Sequence, residues 1–152
     1  MKYKVILDTD TFNEADDQFA ISYLMKSLDV FDIEAITIAP FKHEKYTKTV
    51  SDSIDDSYNE ACRIFDLLNI NNKSMIYKGS RNYLSNGYVE SNDAVNKIID
   101  VALKNEKTYI LSIACLTNVA IAIKKCPEII KKIEIIWIGS NFLYGPNQDF
   151  NF

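Results

Sequence analysis

Chain punctuation is scarce in this sequence. Gly and Pro together number only seven in 152 residues. That excludes a Pro/Gly-rich linker, a collagen-like repeat and a low-complexity tract, and makes each Gly or Pro informative. Cysteine is also sparse: Cys62, Cys115 and Cys126 are widely spaced, odd in number and without a Cys-x-x-Cys pair. A disulfide framework is excluded, and reduced thiols in a cytoplasmic protein are the expectation. Only Arg63 and Arg81 are arginines, so bidentate clamps on phosphate are few. His43 is the single histidine, and without a second one His43-Glu44 cannot form a zincin site. Positive charge is in deficit, at 17 basic against 21 acidic residues and net charge −4. No basic face for nucleic acid is expected. No apolar run approaches the ~20 residues of a membrane span, and the first residues lack a signal peptide's apolar stretch. No membrane partner is expected. There is neither a Gly-x-Gly-x-x-Gly nor a Walker loop, so nucleotide-phosphate cradling is unsupported.

What remains has the composition of an ordinary globular domain, 47% hydrophobic and 25% charged. The length fits one domain with a real core. Short apolar runs at Tyr3–Leu7, Ile33–Ala39, Met75–Tyr77, Tyr109–Ala114 and Ile133–Ile138 read as strands. Between them, apolar residues recur at helical spacing over 15–28, 54–68, 91–104 and 117–125. Ser91 is the expected N-cap of the third helix, and Pro127 ends the fourth. Thr117 and Asn118 read as helix caps, and 42–51 reads as a polar loop. Strands alternating with helices imply βαβ units and an α/β fold with a mostly parallel, Rossmann-like sheet. In such sheets ligands bind beyond the carboxyl ends of the strands.

One segment at such an end is unusual. Asp8-Thr9-Asp10-Thr11-Phe12-Asn13-Glu14-Ala15-Asp16-Asp17 holds four Asp and one Glu in ten residues. Clustered carboxylates repel, and a hard cation such as Ca²⁺ or Mg²⁺ relieves that cost through oxygen ligands. A helix dipole accounts for Glu14, Asp16 and Asp17 as N-terminal acids. It does not account for Asp8 and Asp10 at a strand end, and Asp10 is the first candidate for a metal or catalytic role.

This segment resembles the signature of the inosine/uridine-preferring nucleoside hydrolases, an Asp-x-Asp, a turn, then Asp-Asp opening a helix. The turn here is longer than in the commonest members, and variants with Asp-Thr-Asp-Thr and an Asn-Glu turn are closer. The resemblance continues through Glu34–Ala39, Tyr77–Ser80, Leu116-Thr117-Asn118-Val119-Ala120, Trp137-Ile138-Gly139 and Asp149-Phe150-Asn151, in order. It covers residues 1–152 as the N-terminal part of a single nucleoside hydrolase-like domain. The C-terminal half, which normally adds an Asp ligand and often a His near the leaving base, is absent from this sequence, so a fragment or truncated product is the expectation.

The resemblance implies hydrolysis of the N-glycosidic bond of ribonucleosides, with a Ca²⁺-bound water as nucleophile. Asp10 would be both Ca²⁺ ligand and catalytic base, Asp17 a second ligand, and the backbone carbonyl of Ile113 a third. Asp16 would accept a bond from a ribose hydroxyl, and Asp149 and Asn151 would hold the remaining hydroxyls. Asp149 stands where the family usually has Glu, and Lys42 or His43 occupies the region of its loop Asn. Relatives are commonly oligomers, so a homo-oligomer is an expectation. Two other readings stand beside this one. A haloacid dehalogenase-type phosphatase shares the Asp-x-Asp strand end but not Phe12 at its fifth position. A catalytically inactive interaction module would pair through an open sheet edge and the aromatic C-terminal residues.

Overall fold

A computed structural model describes residues 2–43, 45, 47–84 and 91–139. The first strand, β1 (Tyr3–Thr9), is followed by α1 (Ala15–Lys26), β2 (Phe31–Ile38), α2 (Val50–Leu67) and β3 (Ile76–Lys78). Then come α3 (Asp93–Lys104), β4 (Thr108–Ser112), α4 (Thr117–Lys125) and β5 (Ile133–Trp137). The five strands form one sheet in the order β3-β2-β1-β4-β5, and every pairing is parallel. The fold is therefore the α/β, Rossmann-like arrangement that the alternation of strands and helices implies.

Burial explains which residues became strands. β1 lies in the middle of the sheet, and its Val5, Ile6 and Leu7 are all essentially inaccessible. A central parallel strand is covered on both faces and so reads as a continuous apolar run. One face packs Leu7, Ile36 and Ile38 against Ile21 and Leu24 of α1 and Ile54 and Phe65 of α2. The other packs Ile6 and Ile110 against Val95 and Ile98 of α3 and Val119 and Ala122 of α4. Among the described residues β5 is an edge strand, and Ile136 on it and Ile138 just beyond it are 54% and 63% exposed.

Element ends differ from expectation where capping decides them. Helix α2 begins at Val50, four residues early, because the Thr49 hydroxyl accepts the Asp52 amide at 3.1 Å. Asn92, not Ser91, caps α3: its Oδ1 accepts the Val95 amide at 3.0 Å, while Ser91 Oγ bonds Asn96. Past the end of α2, Asn69 takes a left-handed φ of 58°, a conformation Asn tolerates at helix ends.

The sheet order fixes where a ligand site belongs. From β1 the chain builds outward to β2 and β3, then returns to place β4 and β5 on the opposite side. The reversal opens a crevice at the carboxyl ends of β1 and β4. Asp8, Asp10 and Ile113 stand at those ends.

Candidate active site

At the end of β1 the chain turns back sharply. The Asn13 amide donates to the Asp10 carbonyl at 2.7 Å, and the Phe12 amide reaches Ser57 Oγ on α2 at 3.2 Å. This turn feeds directly into α1, so Asp17 on the first helical turn comes back beside the strand end. The Thr9 hydroxyl donates to Asp17 Oδ1 and lies 3.0 Å from the Thr11 hydroxyl. Asp8, Thr9, Asp10, Thr11, Asn13 and Asp17 are all buried.

The three buried aspartates have different surroundings. Asp8 is held by neutral donors: Thr37 Oγ1 at 2.7 Å and Asn118 Nδ2 at 3.0 Å on one oxygen, and Ser112 Oγ at 3.4 Å on the other. Burial nevertheless raises its carboxyl to about 6. Asp10 has one side-chain donor, Asn13 Nδ2 at 3.0 Å on Oδ2. Burial, and then the neighbouring Asp17 charge, push Asp10 well above the ordinary carboxylate range. Burial likewise lifts Asp17 to about 7, against the lowering effect of the Thr9 bond, with Asp16 and Glu14 adding repulsion. None of the described ion pairs involves Asp8, Asp10 or Asp17. Asp10 and Asp17 are thus a buried, mutually repelling pair, which costs free energy unless a cation or protons neutralise it.

Ile113 follows β4, and its amide donates to the Asp8 carbonyl at 2.9 Å, which places it across from the aspartate-bearing strand end. Asp16 is exposed on the first turn of α1. His43 Nδ1 accepts the Lys45 amide at 3.2 Å and Lys42 is exposed, so both belong to the loop after β2. Asp149 and Asn151 lie outside the described residues, as do most of the C-terminal aromatics.

Asn118 is the residue that sequence reasoning misplaced. The N-cap of α4 is Leu116, and Asn118 is fully buried rather than capping. Its NH₂ donates to Asp8 and to the Ile38 carbonyl at 2.9 Å, and its Oδ1 accepts the Ser80 amide at 3.0 Å. One carboxamide thereby ties together β1, the end of β2, the segment after β3, and α4. Gly79 makes room for it, because a Cβ there would collide with the Ile38 carbonyl and the Asn118 side chain. Gly79→Ala is expected to cost about 1–3 kcal/mol through overpacking. Chemical denaturation of the variant checks this, and an unchanged midpoint would contradict it.

Beside the aspartates a pocket of about 330 Å³ opens between Tyr83, Cys115, Leu116, Thr117, Ala120 and Trp137. The Trp137 indole donates to the Ala114 carbonyl at 2.9 Å, which fixes its ring at the pocket wall. The Cys115 thiol donates to the Pro40 carbonyl, and burial raises it to about 11, so it is unreactive. Burial raises the Tyr83 hydroxyl to about 12, with the Cys115 and Asp10 charges adding to the effect.

A parallel α/β sheet with a buried acidic centre at the reversal of its strand order has the architecture of a ligand-binding domain. Comparison with known proteins narrows it. The sequence profile described as inosine-uridine preferring nucleoside hydrolase matches residues 5–152. The chain belongs to that family. Solved structures agree on the fold. A purine-preferring ribonucleoside hydrolase from Gardnerella vaginalis superposes with TM-score 0.66 at 25% identity, over 91% of this chain and 49% of its own. An inosine-uridine preferring nucleoside hydrolase from Bacillus anthracis gives 0.66 at 19% identity, over 93% and 51%. The type III effector XopQ, complexed with adenosine diphosphate ribose, gives 0.71 at 13% identity, over 99% and 50%. The chain thus spans about half the length of these proteins. No curated protein sequence matches it significantly. Among the described residues, no helix is long and apolar enough to cross a membrane.

Proposed function

We propose that this chain carries the cation-binding and water-activating part of a nucleoside hydrolase acting on purine or pyrimidine ribonucleosides. The observation that carries this reading is the Asp10–Asp17 pair, buried at the switch point without a cationic side chain among the described ion pairs. Its donor set fits a hard divalent cation. All the candidate ligands are oxygens, two are carboxylates, and a buried oxygen beside them, Asn13 Oδ1, has no partner. Among the described residues no group of three or more His, Cys, Asp or Glu could hold a metal. The proposed ligands are Asp10, Asp17 and the Ile113 carbonyl, while Asp8 is bonded to its own donors. Ca²⁺ suits such a set, and when bound it lowers the pKa of a water molecule.

In this reading Asp10 accepts the proton of the attacking water as its oxygen bonds to C1′ of the ribose. The bond from C1′ to the base nitrogen breaks, and its electron pair leaves with the base. The transition state is oxocarbenium-like, so nearby negative charge stabilises it. Asp16, exposed on the first turn of α1, accepts a bond from a ribose hydroxyl in this reading, and Asp149 and Asn151 hold the others. The phosphatase alternative needs an accessible nucleophilic carboxylate at the strand end, and Asp8 is 0% exposed under three donors.

The test is release of free base from inosine and uridine, using this sequence joined to the polypeptide that completes the family's length. Turnover is expected with CaCl₂ and its loss in EDTA. A folded, Ca²⁺-loaded protein that releases no base from either nucleoside would overturn the reading. A second reading, self-association without catalysis, is favoured by the exposed Ile136 on β5, the edge strand among the described residues, and Ile138 just beyond it. A stable dimer that neither binds Ca²⁺ nor turns over nucleoside would support it, and a monomer by light scattering would remove it.

A further inference from the structure

The longer turn between the two Asp motifs brings in a residue that the commonest form of the signature does not have. Asn13 is buried, with 8% of its surface exposed, beside Asp10. Its carboxamide orientation follows from chemistry, because only the NH₂ can donate to a carboxylate, and Nδ2 lies 3.0 Å from Asp10 Oδ2. The backbone amide of the same residue donates to the Asp10 carbonyl at 2.7 Å. Asn13 is therefore anchored to Asp10 twice. Its remaining polar atom, Oδ1, is buried and has no hydrogen-bond partner. A buried acceptor without a donor is unfavourable, and a bound ion or water is one physical account of it.

We propose that Asn13 Oδ1 is a further oxygen ligand of the divalent cation held by Asp10 and Asp17. Three observations converge on a cation as the missing partner. The orphaned atom is an acceptor, so its partner brings positive charge or a proton. It belongs to the carboxamide bonded to Asp10 Oδ2, which keeps it close to that carboxylate. Asn carbonyl oxygens are ordinary Ca²⁺ ligands, and two carboxylates with one backbone carbonyl fall short of the six to eight oxygens that Ca²⁺ takes. The Asn13 NH₂ meanwhile occupies one lone pair of Asp10 Oδ2 and fixes the orientation of that carboxylate, as hydrogen-bonded neighbours of metal ligands do.

The inference rests on the cation reading above, and its test separates the two. CaCl₂ is titrated by calorimetry into EDTA-stripped wild type, Asn13→Ala, Asn13→Asp and Asp10→Asn, with circular dichroism confirming the fold of each. The expected result is 1:1 binding to wild type, lost in Asp10→Asn. Asn13→Ala should bind about 10–100-fold more weakly. Asn13→Asp, which keeps an acceptor oxygen at the same place, should bind at least as tightly as wild type. Equal affinity in Asn13→Ala and wild type would overturn the ligand role while leaving the Asp10–Asp17 site intact. Weakening of Ca²⁺ binding in both Asn13 variants would also overturn it, because the NH₂ rather than Oδ1 would then be the group that matters. A folded wild type that binds no Ca²⁺ would overturn the cation reading itself, and the Asn13 role with it. Should Asn13→Ala fail to fold, the Asn13→Asp comparison decides alone, and a loss of affinity there overturns the role.

Discussion

Asp10→Asn is expected to abolish Ca²⁺ binding and to reduce nucleoside hydrolysis by at least about 10²–10⁴-fold, the range attributed to a positioned acid or base. The substitution is nearly isosteric, so the turn held by the Asn13 amide on the Asp10 carbonyl at 2.7 Å should survive. On the proposed reading the base and one ligand disappear together. The metal-free protein should become more stable, because a buried carboxylate repelled by Asp17 has been replaced by a neutral amide. The combination of a higher melting temperature without Ca²⁺ and lost function distinguishes a site residue from a structural one. Asp8→Asn is the contrast. Both close donors, Thr37 and Asn118, bond the same Asp8 oxygen, which an Asn carbonyl can replace. Ca²⁺ affinity in Asp8→Asn should stay within a few-fold of wild type, measured by the same calorimetric titration. Loss of binding there as complete as in Asp10→Asn would show that Asp8 is itself a ligand.

The second large effect is on stability against pH. Burial holds Asp8 at about 6 and Asp17 at about 7, and Asp10 higher than its ordinary range. All three lie above the unfolded carboxylate value near 3.8. The native state therefore binds more protons than the unfolded chain across this window. By linkage, the associated stability is fully present below about pH 4 and is lost as pH rises through about 6 to 7. Each tenfold difference in proton affinity is worth about 1.4 kcal/mol, so the combined loss is several kcal/mol. For a chain of this size that corresponds to a fall of roughly 10 °C or more in melting temperature. Differential scanning calorimetry in EDTA should show the protein melting lower at pH 8 than at pH 5. CaCl₂ should restore much of the loss at pH 8, by about 2.7 kcal/mol at a hundredfold excess over Kd, and do little at pH 5. A metal-free melting temperature that rises between pH 5 and pH 8 would contradict the electrostatic description of the site.

The sequence made the fold legible because its elements are regular. The apolar run Tyr3–Leu7 reads as a buried strand and is one, and helix α4 falls on the expected residues 117–125. The Asp-x-Asp at a strand end located the acidic centre, and the ordered motifs pointed to the family to which the chain belongs. Less regular features were hidden. Helix starts depend on single caps, so Thr49 and Asn92 moved two boundaries that periodicity alone did not fix. Asn118 reads as a helix-opening residue in one dimension. Its actual partner Asp8 is 110 positions away, and nothing local records that bond. Asn13 carried a weak signal, the lengthened turn, but its orphaned oxygen is visible only once the carboxamide is seen on Asp10. The different surroundings of Asp8, Asp10 and Asp17 are equally invisible in the sequence, because they depend on which donors reach each carboxylate.

The central claim is that Asp10 and Asp17 form a divalent-cation site. Calorimetric titration of CaCl₂ into the EDTA-stripped protein at pH 8 tests it most directly. A single saturable site, absent from Asp10→Asn and from Asp17→Asn, is the predicted result. A folded wild type that gives no saturable heat at millimolar CaCl₂, or one whose binding survives both substitutions, would contradict it.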